Sequence, residues 1–594
     1  MESLSSILKK ASIPFSLGLI AFGLLVGGWK IQRDWTEFAA CPNRDVLTWD
    51  ANLRMLQTLD VRDDFVHGKS FRAIGNILES PTWPPLHGLI ALVAYLFTSP
   101  STVAEAGIGM LFFALTIALL AAMAAYIGKS EDMMISASLS FVASVIILSH
   151  TRELAAYATS AMLETQGMFF LALTMLALYR SFRNGKGITL LTFSALGLFL
   201  TKYPYGHILV MAVVPVAIAA HFESIGPMIS FLRKRYRGAA LILPGALMLL
   251  IAALAMARFL PEGILKVKGF KYVFYGLVVL LWVDLNWKFY QARAELNWIP
   301  PVWKTIYISV VTPILFLTFL NPDRFSSTVG TQLHEQDSAR SFLLSFFDLT
   351  DSPVPLFAFA GLLVVSIVFA AIKRKSKLTG DPLFAMLLVL IMHVLILEFL
   401  TANKQLRHLY HLLPAILLSG MVFALREIRY PIRIIAGFIL LGSASILIAS
   451  KGSVLKAEHY MFRYHCWTGV EANMYEPVRT LVSQLPAQKR YMLINRFHEP
   501  DAPLPGRLYA TDFDLLIRMK PGTSARNDSR YQWKSWSEFD SVLLLQRECN
   551  DPVGENLLFA RAQTVGSVVN PGKQWTVPLL CIKEYPISKN GGTQ

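Results

Sequence analysis

The sequence predicts a polytopic α-helical membrane protein with a small α/β domain after its last apolar segment. Of the 594 residues, 54% are hydrophobic and only 16% are charged. Apolar windows of roughly fifteen to twenty-five residues recur from residue 13 to residue 450, and these windows lack the polar face that a helix on a soluble protein needs. After residue 450 the composition becomes that of a soluble domain.

Thirteen membrane crossings account for the apolar windows. They are expected near 13–29, 104–127, 133–149, 163–180, 187–201, 204–221, 238–258, 270–285, 304–320, 353–372, 382–400, 409–425 and 432–450. The stretch from Pro84 to Phe97 is left out, because about fourteen residues are too few to cross roughly 30 Å of hydrocarbon as a helix. We expect an interfacial or re-entrant helix there, inside a first extracytoplasmic loop over residues 31–103.

The distribution of charge sets the predicted orientation. The formal net charge is +15, but the basic residues form short clusters between spans, which is typical of cytoplasmic loops and argues against nucleic-acid binding. These clusters lie near Arg180, Arg233, Lys373 and Arg426. We therefore expect a multi-pass protein of the plasma (inner) membrane, with a cytoplasmic N-terminus and residues 451–594 outside.

Residues 1–450 thus form the predicted transmembrane domain, and residues 451–594 the predicted soluble domain. Strands are expected at Tyr491 to Phe497, Ser541 to Gln546 and Thr576 to Tyr585, with a helix at Glu476 to Leu485. The four cysteines all lie in segments predicted to be outside, in agreement with an oxidising compartment. They are Cys41, Cys466, Cys549 and Cys581, and their pairing is not determined by the sequence.

Two acids stand out on the predicted outer face. Asp50 follows Thr48 and Trp49 in the first loop, where a carboxylate could take a proton from an acceptor hydroxyl or could simply cap a helix that begins near Ala51. Other acids of this loop, Asp45, Asp60, Asp63 and Asp64, compete for the role of base. Glu164 begins an apolar run, where a carboxylate is costly without a partner or a task, although the helix dipole also favours an acid in a first turn.

Cations and phenols gather at the same predicted face. Lys202, Tyr203 and Tyr205 follow one span, and another group precedes the twelfth span, comprising Lys404, Arg407, His408, Tyr410 and His411. Lysine and arginine give charge-assisted hydrogen bonds to phosphate, although basic residues at span ends also snorkel to lipid headgroups. His393, apolar on both sides, is expected to be a hydrogen-bonded packing residue, and Glu398 near the end of the same span is a better functional candidate.

The order of these features resembles the GT-C glycosyltransferases, and most closely the protein O-mannosyltransferase and aminoarabinose transferase branch. The features are an early acid in the first outside loop, Pro84-Pro85-Leu86, an arginine and then an acid after the third span, Leu200-Thr201-Lys202, and a late Arg-His-Leu-Tyr-His-Leu-Leu-Pro at 407–414. The resemblance covers roughly residues 1–450. Ala51 stands where many members have glutamate, and Trp83 where relatives often have histidine or lysine.

The resemblance implies a GT-C fold and an inverting transfer of a sugar from a polyprenyl-phosphate donor to a lipid, glycan or protein acceptor. It implies that Asp50 is the catalytic base and Glu164 the second acidic site. The donor phosphate would be bound by Lys202, Arg407, Tyr410, His87 and Arg152. No metal is required by this scheme, although Asp50 and Glu164 together could hold a divalent cation.

Two other classes of protein fit part of the sequence. A lipid or sugar transporter or flippase would also have many spans and basic inner loops, but transporters usually place polar features near the membrane midplane in paired halves. This chain concentrates polar residues at the outer ends of its spans and shows no internal symmetry. A non-catalytic subunit that kept the GT-C fold is the other alternative.

Overall fold

A computed structural model describes most of residues 4–235, 299–325 and 341–449, parts of 279–291, and five strands after residue 490. Helices coincide with eleven of the thirteen predicted spans. The predicted spans 238–258 and 270–285 lie wholly or largely outside the described residues, as does the predicted helix Glu476 to Leu485. The number of crossings therefore stays a prediction.

The helices follow one another through the first 449 residues. In chain order they are α1 Leu4–Ala40, α2 Trp49–Val66, α3 Ser70–Glu79, α4 Pro85–Ala94, α5 Thr102–Ser130, α6 Met134–Ser149, α7 Arg152–Ala158, α8 Glu164–Asn184, α9 Ile188–Thr201, α10 Tyr203–Ala220, α11 Ile225–Arg235, α12 Pro301–Leu320, α13 Phe342–Ser345, α14 Val354–Arg374, α15 Pro382–Leu400, α16 Arg407–Tyr410, α17 Leu413–Glu427 and α18 Ile432–Ala449. Within α12, Tyr307–Val311 is π-helical.

Six of the described helices are long and apolar enough to cross a membrane by length and composition: α1, α5, α10, α12, α14 and α15. Shorter apolar segments occur in α4, α6, α9 and α18. With 10 residues, α4 is about 15 Å long. This length confirms that the Pro-Pro-Leu stretch is too short to span a bilayer, while its interfacial position stays a prediction.

The core is built on α6, α8 and α17. Every residue of α6 from Ser136 to Ser149 is buried, as is every residue of α17 from Leu413 to Leu425. The serines of α6 are tolerated there because the Ser140 and Ser144 hydroxyls each donate to the carbonyl oxygen four residues earlier, at 2.8 and 2.7 Å. Helix α6 therefore lies inside the bundle, and its own backbone satisfies two of its serine hydroxyls.

Helix α1 is longer at its C-terminal end than the sequence predicts. It continues eleven residues past Trp29, to Ala40. Lys30 and Asp34, one turn apart, form a buried ion pair with Nζ 2.6 Å from Oδ2, and the neighbouring Arg33 donates to the carbonyl oxygen of Ser149 at 3.0 Å. Since these charges are paired and bonded to the end of α6, they do not end the helix where the hydropathy falls.

Charged side chains join helix ends at one side of the bundle. Arg426, at the end of α17, lies 3.3 Å from a Glu131 oxygen just after α5 and 2.9 Å from an Asp381 oxygen just before α15. The hydroxyl of Tyr179 in α8 donates to the other Glu131 oxygen, and Arg183 donates to the carbonyl oxygen of Ser130 at 3.1 Å. The basic residues Arg183 and Arg426, both predicted to be cytoplasmic, thus lie at the same end of the bundle.

The strands after residue 490 form one five-stranded sheet. They are β1 Tyr491–Asn495, β2 Leu515–Met519, β3 Ser541–Gln546, β4 Gln563–Val569 and β5 Leu579–Pro586. Their order is β2-β1-β3-β5-β4, with β1 parallel to β2 and β3, and β5 antiparallel to β3 and β4. The three predicted strands are confirmed as β1, β3 and β5, whereas the α/β domain as a whole stays a prediction.

Cys41, immediately after α1, is disulfide-bonded. The three other cysteines of the chain, Cys466, Cys549 and Cys581, all follow residue 450. The pairing itself stays a prediction, because the side chains of these three cysteines lie outside the described part of the chain. A disulfide requires both of its cysteines to lie on one side of any membrane that the helices cross.

Candidate functional site

A buried carboxylate marks the end of α8 opposite to Arg183. Glu164 is the first residue of α8 and is 0% exposed. Neither carboxylate oxygen makes a hydrogen bond among the described residues, and the closest cation is the Nζ atom of Lys202, 3.8 Å from Oε1. A buried acid without hydrogen bonds is unusual in a folded protein and is most often found at functional sites.

Lys202 connects two parts of the chain that are distant in sequence. It lies between α9 and α10, and its Nζ is 3.4 Å from the Nδ1 atom of His408 in α16 and 5.0 Å from the centre of the Tyr205 ring. Burial, followed by the charges of Lys202 and Arg407, holds the pKa of His408 well below its ordinary value. Both cations therefore lie close to this imidazole.

The charges of Glu164 and Arg407 also act on a phenol of the site. Burial raises the pKa of Tyr157 in α7 well above its usual value, the Glu164 carboxylate raises it further, and Arg407 opposes that effect. The ring of Tyr157 lies 5.3 Å from that of Tyr410. We call Glu164, Lys202, Tyr205, Arg407 and His408 the Glu164 cluster, beside which Tyr157 and Tyr410 pack.

A second histidine pair extends from this cluster into the bundle. The ring of His411 stacks on Tyr205, with 3.7 Å between centroids, and its Nε2 lies 3.2 Å from the Nε2 of His393 in α15. All three side chains are buried. The prediction that His393 is a hydrogen-bonded packing residue agrees with this contact, which also connects it to the cluster through His411.

The first turns of α2 lie beside the segment that leads into α8. Arg54 is buried and donates to the carbonyl oxygen of Ala161 at 3.1 Å and to the sulfur of Met162 at 3.0 Å. Asp50, one turn earlier, is the second residue of α2, so it lies in the first turn and does not cap a helix that begins at Ala51. The structure thus brings the backbone of Asp50 to the same end of the bundle as Glu164.

His87 belongs to a separate buried network that fastens α4 to α5 and α8. Its Nε2 lies 2.7 Å from Oε2 of Glu105, and its Nδ1 accepts from the amide of Gln166 at 2.7 Å. The Tyr95 hydroxyl donates to the other Glu105 oxygen. Both ring nitrogens of His87 have partners within the protein, so neither is available in this structure for the predicted contact with a phosphate.

Other candidates have contacts of their own. Asp64, a competitor of Asp50, is buried and accepts from Arg72 and Asn76 of α3 at 3.2 and 3.1 Å, so it joins α2 to α3. Glu398 accepts from the backbone amides of Phe342 and Leu343 at 2.6 and 3.3 Å. Arg152 is the first residue of α7, and its predicted contact with the donor phosphate stays a prediction.

A small open cleft lies between α2, α3 and α4. Its lining combines apolar side chains such as Val61, Ile77 and Leu89 with Arg54 and His87. Within the part of the chain that the structure describes, no three His, Cys, Asp or Glu side chains are grouped so that they could hold a metal ion. A cation held by Asp50 and Glu164 remains a prediction from the sequence.

The network of His87, Glu105, Tyr95 and Gln166 was not predicted. Glu105 carries the same signal as Glu164, because it stands in the first turn of a long apolar helix and is 0% exposed. The bond from Gln166 to His87 could not be deduced in the same way, since these two residues are 79 residues apart in the chain.

No protein-family model and no curated protein matches the chain. Two solved structures show a weak likeness to it, both of ArnT from Cupriavidus metallidurans. The one bound to undecaprenyl phosphate gives a TM-score of 0.35 and 13% identity over 98% of this chain and 99% of that chain. The apo structure gives a TM-score of 0.34 and 13% identity over 98% and 100%. Scores this low do not establish a common fold.

Proposed function

We propose that this chain is a membrane glycosyltransferase that moves a sugar from a polyprenyl-phosphate donor to an acceptor hydroxyl on the extracytoplasmic face. The observation that carries the proposal is the Glu164 cluster. A fully buried carboxylate without hydrogen bonds lies 3.8 Å from the Lys202 ammonium, and Arg407 acts on the same side chains. Burial of such a cluster of charges costs stability. A cluster of this kind is therefore a candidate for a site that serves a reaction or binds a ligand.

The cations supply the binding site for the donor phosphate. Lys202 and Arg407 come from different segments, one before α10 and one in α16, and both lie beside His408. Ammonium and guanidinium groups give strong hydrogen bonds to phosphate oxygens. In a site screened from water they also stabilise the negative charge that develops on the phosphate as the sugar departs. Tyr410, packed against Tyr157, adds a phenol at the same place.

Asp50 is the base in this proposal. The acceptor oxygen attacks the anomeric carbon, the bond from that carbon to the phosphate oxygen breaks, and the acceptor proton passes to the Asp50 carboxylate. The products are the glycosylated acceptor, with inverted anomeric configuration, and the free polyprenyl phosphate. The position of Asp50 in the first turn of α2 supports this role, because Arg54 ties α2 to the residues just before Glu164.

The arrangement of the bundle supports a reaction at a membrane surface. The cluster lies at one end of α8, and the side chains of Arg183 and Arg426 lie at the other. A helix of 21 residues is about 32 Å long, close to the thickness of the hydrocarbon layer. A polyprenyl tail would lie among apolar helix surfaces while its phosphate meets the cluster.

Transfer assays with purified protein test the proposal. The donors are a panel of polyprenyl-phosphate sugars, and the variants are wild type, Asp50→Asn and, as a matched control, Asp132→Asn. Asp132 is an exposed acid in the loop after α5, at the opposite end of the bundle. We expect transfer by wild type and by the control, and loss of turnover in Asp50→Asn by about a hundredfold or more.

Donor binding is measured in parallel with undecaprenyl phosphate as the probe. Asp50→Asn should bind it as wild type does, because the base contacts the acceptor. Full transfer activity in Asp50→Asn would remove Asp50 as the base. A wild-type protein that transfers no sugar from any donor, and that does not distinguish undecaprenyl phosphate from undecaprenol, would contradict the proposed function.

A further inference from the structure

We propose that His408 is a neutral hydrogen-bond donor to the donor phosphate, with its proton placed on Nε2 by Lys202. The inference rests on the proposed function and adds a binding residue to that site. It also gives Lys202 a second task, because the lysine then determines which ring nitrogen of His408 faces the ligand.

The contact between the two side chains fixes the tautomer. The Nζ atom of Lys202 lies 3.4 Å from Nδ1 of His408. An ammonium group has three hydrogens and no acceptor, so Nδ1 must present its lone pair to Lys202. A neutral imidazole carries its single proton on the other nitrogen. The proton of His408 is therefore on Nε2.

The surroundings of His408 keep it neutral. The side chain is 3% exposed, and burial is the first reason that its pKa is held well below the ordinary value, followed by the charges of Lys202, Arg407 and His411. A positive charge on His408 would be repelled by the two cations already present, Lys202 and Arg407. The neutral ring thus offers one N–H group, while Lys202 and Arg407 supply the positive charge of the site.

That N–H group has no partner among the described residues. The Nε2 atom of His408 is buried and makes no hydrogen bond. A buried donor without an acceptor destabilises a protein, and native proteins seldom leave one without reason. An anion bound by Lys202 and Arg407 would supply the missing acceptor, since both cations lie beside the same ring.

The groups around His408 favour a phosphate oxygen as the acceptor for its N–H group. Other buried atoms of this region that make no hydrogen bond include the Glu164 oxygens, which can only accept, the Tyr205 hydroxyl and the Nδ1 atom of His411. The carboxylate of Glu164 lies 3.8 Å from the same Nζ atom of Lys202. A ligand oxygen that accepts from Nε2 while Lys202 and Arg407 neutralise its charge fits this set of donors.

Affinity for undecaprenyl phosphate, compared with that for undecaprenol, tests the inference in the full-length protein. The variants are His408→Leu, His408→Gln and, as a control for the loss of a buried imidazole, His207→Leu. His207 is buried in α10, where it is bonded to Thr318 at 3.0 Å. We expect His408→Leu to bind undecaprenyl phosphate about 10- to 100-fold more weakly than wild type.

Recovery of affinity in a variant that keeps an N–H group distinguishes a hydrogen-bond donor from a packing residue. The side-chain amide of glutamine reaches about as far as Nε2, so His408→Gln should recover most of the affinity, whereas affinity for undecaprenol should not change in any variant. In a double-mutant cycle with Lys202→Met, the two losses should not add, because Lys202 acts in part through His408. Independent losses that add fully would contradict the tautomer argument.

The outcomes distinguish this inference from the proposed function. If wild type prefers undecaprenyl phosphate and His408→Leu keeps that preference, the inference is overturned and the function stands. If wild type shows no preference, the proposed function fails and the inference fails with it. Should His408→Leu not fold, Gln and Asn at this position decide, because the asparagine amide stops near Nδ1. Equal affinity of those two variants would overturn the inference.

Discussion

Glu164 is the residue on which the proposed site depends. Its position in the first turn of α8 favours a negative charge, because the amides at a helix N-terminus carry partial positive charge. The distance of 3.8 Å to Lys202 is an ion pair but is too long for a good hydrogen bond. The carboxylate is therefore held in place by the fold and stays available to a substrate group.

The Glu164→Gln variant distinguishes an effect on phosphate binding from an effect on sugar transfer. In Glu164→Gln, a negative charge next to the phosphate site is lost, so we expect undecaprenyl phosphate to bind several-fold more tightly. Sugar transfer should fall at the same time if the charge assists the reaction. Titration of the lipid probe and the transfer assay measure the two effects. Weaker binding together with unchanged transfer would contradict the placement of Glu164 beside the phosphate.

Part of the site could be predicted from the sequence. The order of spans and the positive-inside rule placed Glu164, Lys202 and Arg407 at one end of the bundle, and the structure brings these three together. The bonds made by His87 could not be predicted, because its partners are on α5 and α8 and only the packing of helices chooses them. The simultaneous contacts of Lys202 with Glu164 and His408 are likewise a property of the packed structure.

At the scale of elements, the Pro-Pro-Leu helix α4 is held by a buried polar network. Glu105 accepts from both Tyr95 and His87, and His87 accepts from Gln166 on α8. The helix is short and offers mostly apolar surface, so these bonds fix its orientation on α5 and α8. The same network lies next to the open cleft, because His87 also lines that cleft.

Removal of the central acid should loosen this helix. Glu105→Leu leaves the Tyr95 hydroxyl and His87 without their acceptor, which should cost about 3 kcal/mol of unfolding free energy. The matched control is Glu223→Leu. Glu223 is 75% exposed and lies 3.5 Å from His221, and exposed pairs contribute little. Thermal unfolding in detergent should show a clear loss for Glu105→Leu and almost none for the control, whereas equal losses would contradict a structural role for the network.

The length of α1 and the start of α2 show what sequence reasoning misses at this scale. Hydropathy placed the end of the first apolar segment at Trp29, yet the helix continues to Ala40 because Lys30 and Asp34 neutralise each other one turn apart. Similarly, α2 begins at Trp49, before the Asp50 cap that a local pattern suggests. The extension of α1 arises from an ion pair that a window of hydropathy does not contain.

At the scale of the whole molecule, we predict a covalent link between the two predicted domains. Cys41 follows α1 and is disulfide-bonded, and the other cysteines of the sequence all follow residue 450. A protein cut once by a protease in the segment between α11 and α12 should therefore run as one species on a gel without reductant and as two with reductant. Cys41→Ser should separate into two fragments in both conditions. Separation of the wild-type fragments without reductant would contradict the link.

The two ends of the bundle have different chemistry. At one end, charges are satisfied by each other, as Arg426 is by Glu131 and Asp381. At the other, the Glu164 oxygens and the Nε2 atom of His408 are buried without hydrogen bonds. Buried polar groups without partners are uncommon in native proteins, and a bound ligand is one reason that a fold keeps them. This contrast is the reason to place the donor phosphate at the Glu164 end.

A comparison of Arg407→Met with Arg183→Met tests that placement most directly. Arg183 is a matched arginine in the last turn of α8, about 28 Å along the helix from Glu164. The measurement is the affinity of each full-length protein for undecaprenyl phosphate relative to undecaprenol. The proposed site predicts that Arg407→Met loses about tenfold or more of the phosphate-dependent affinity and that Arg183→Met keeps it. Equal affinity of the two variants, or a loss confined to Arg183→Met, would contradict a phosphate site in the Glu164 cluster.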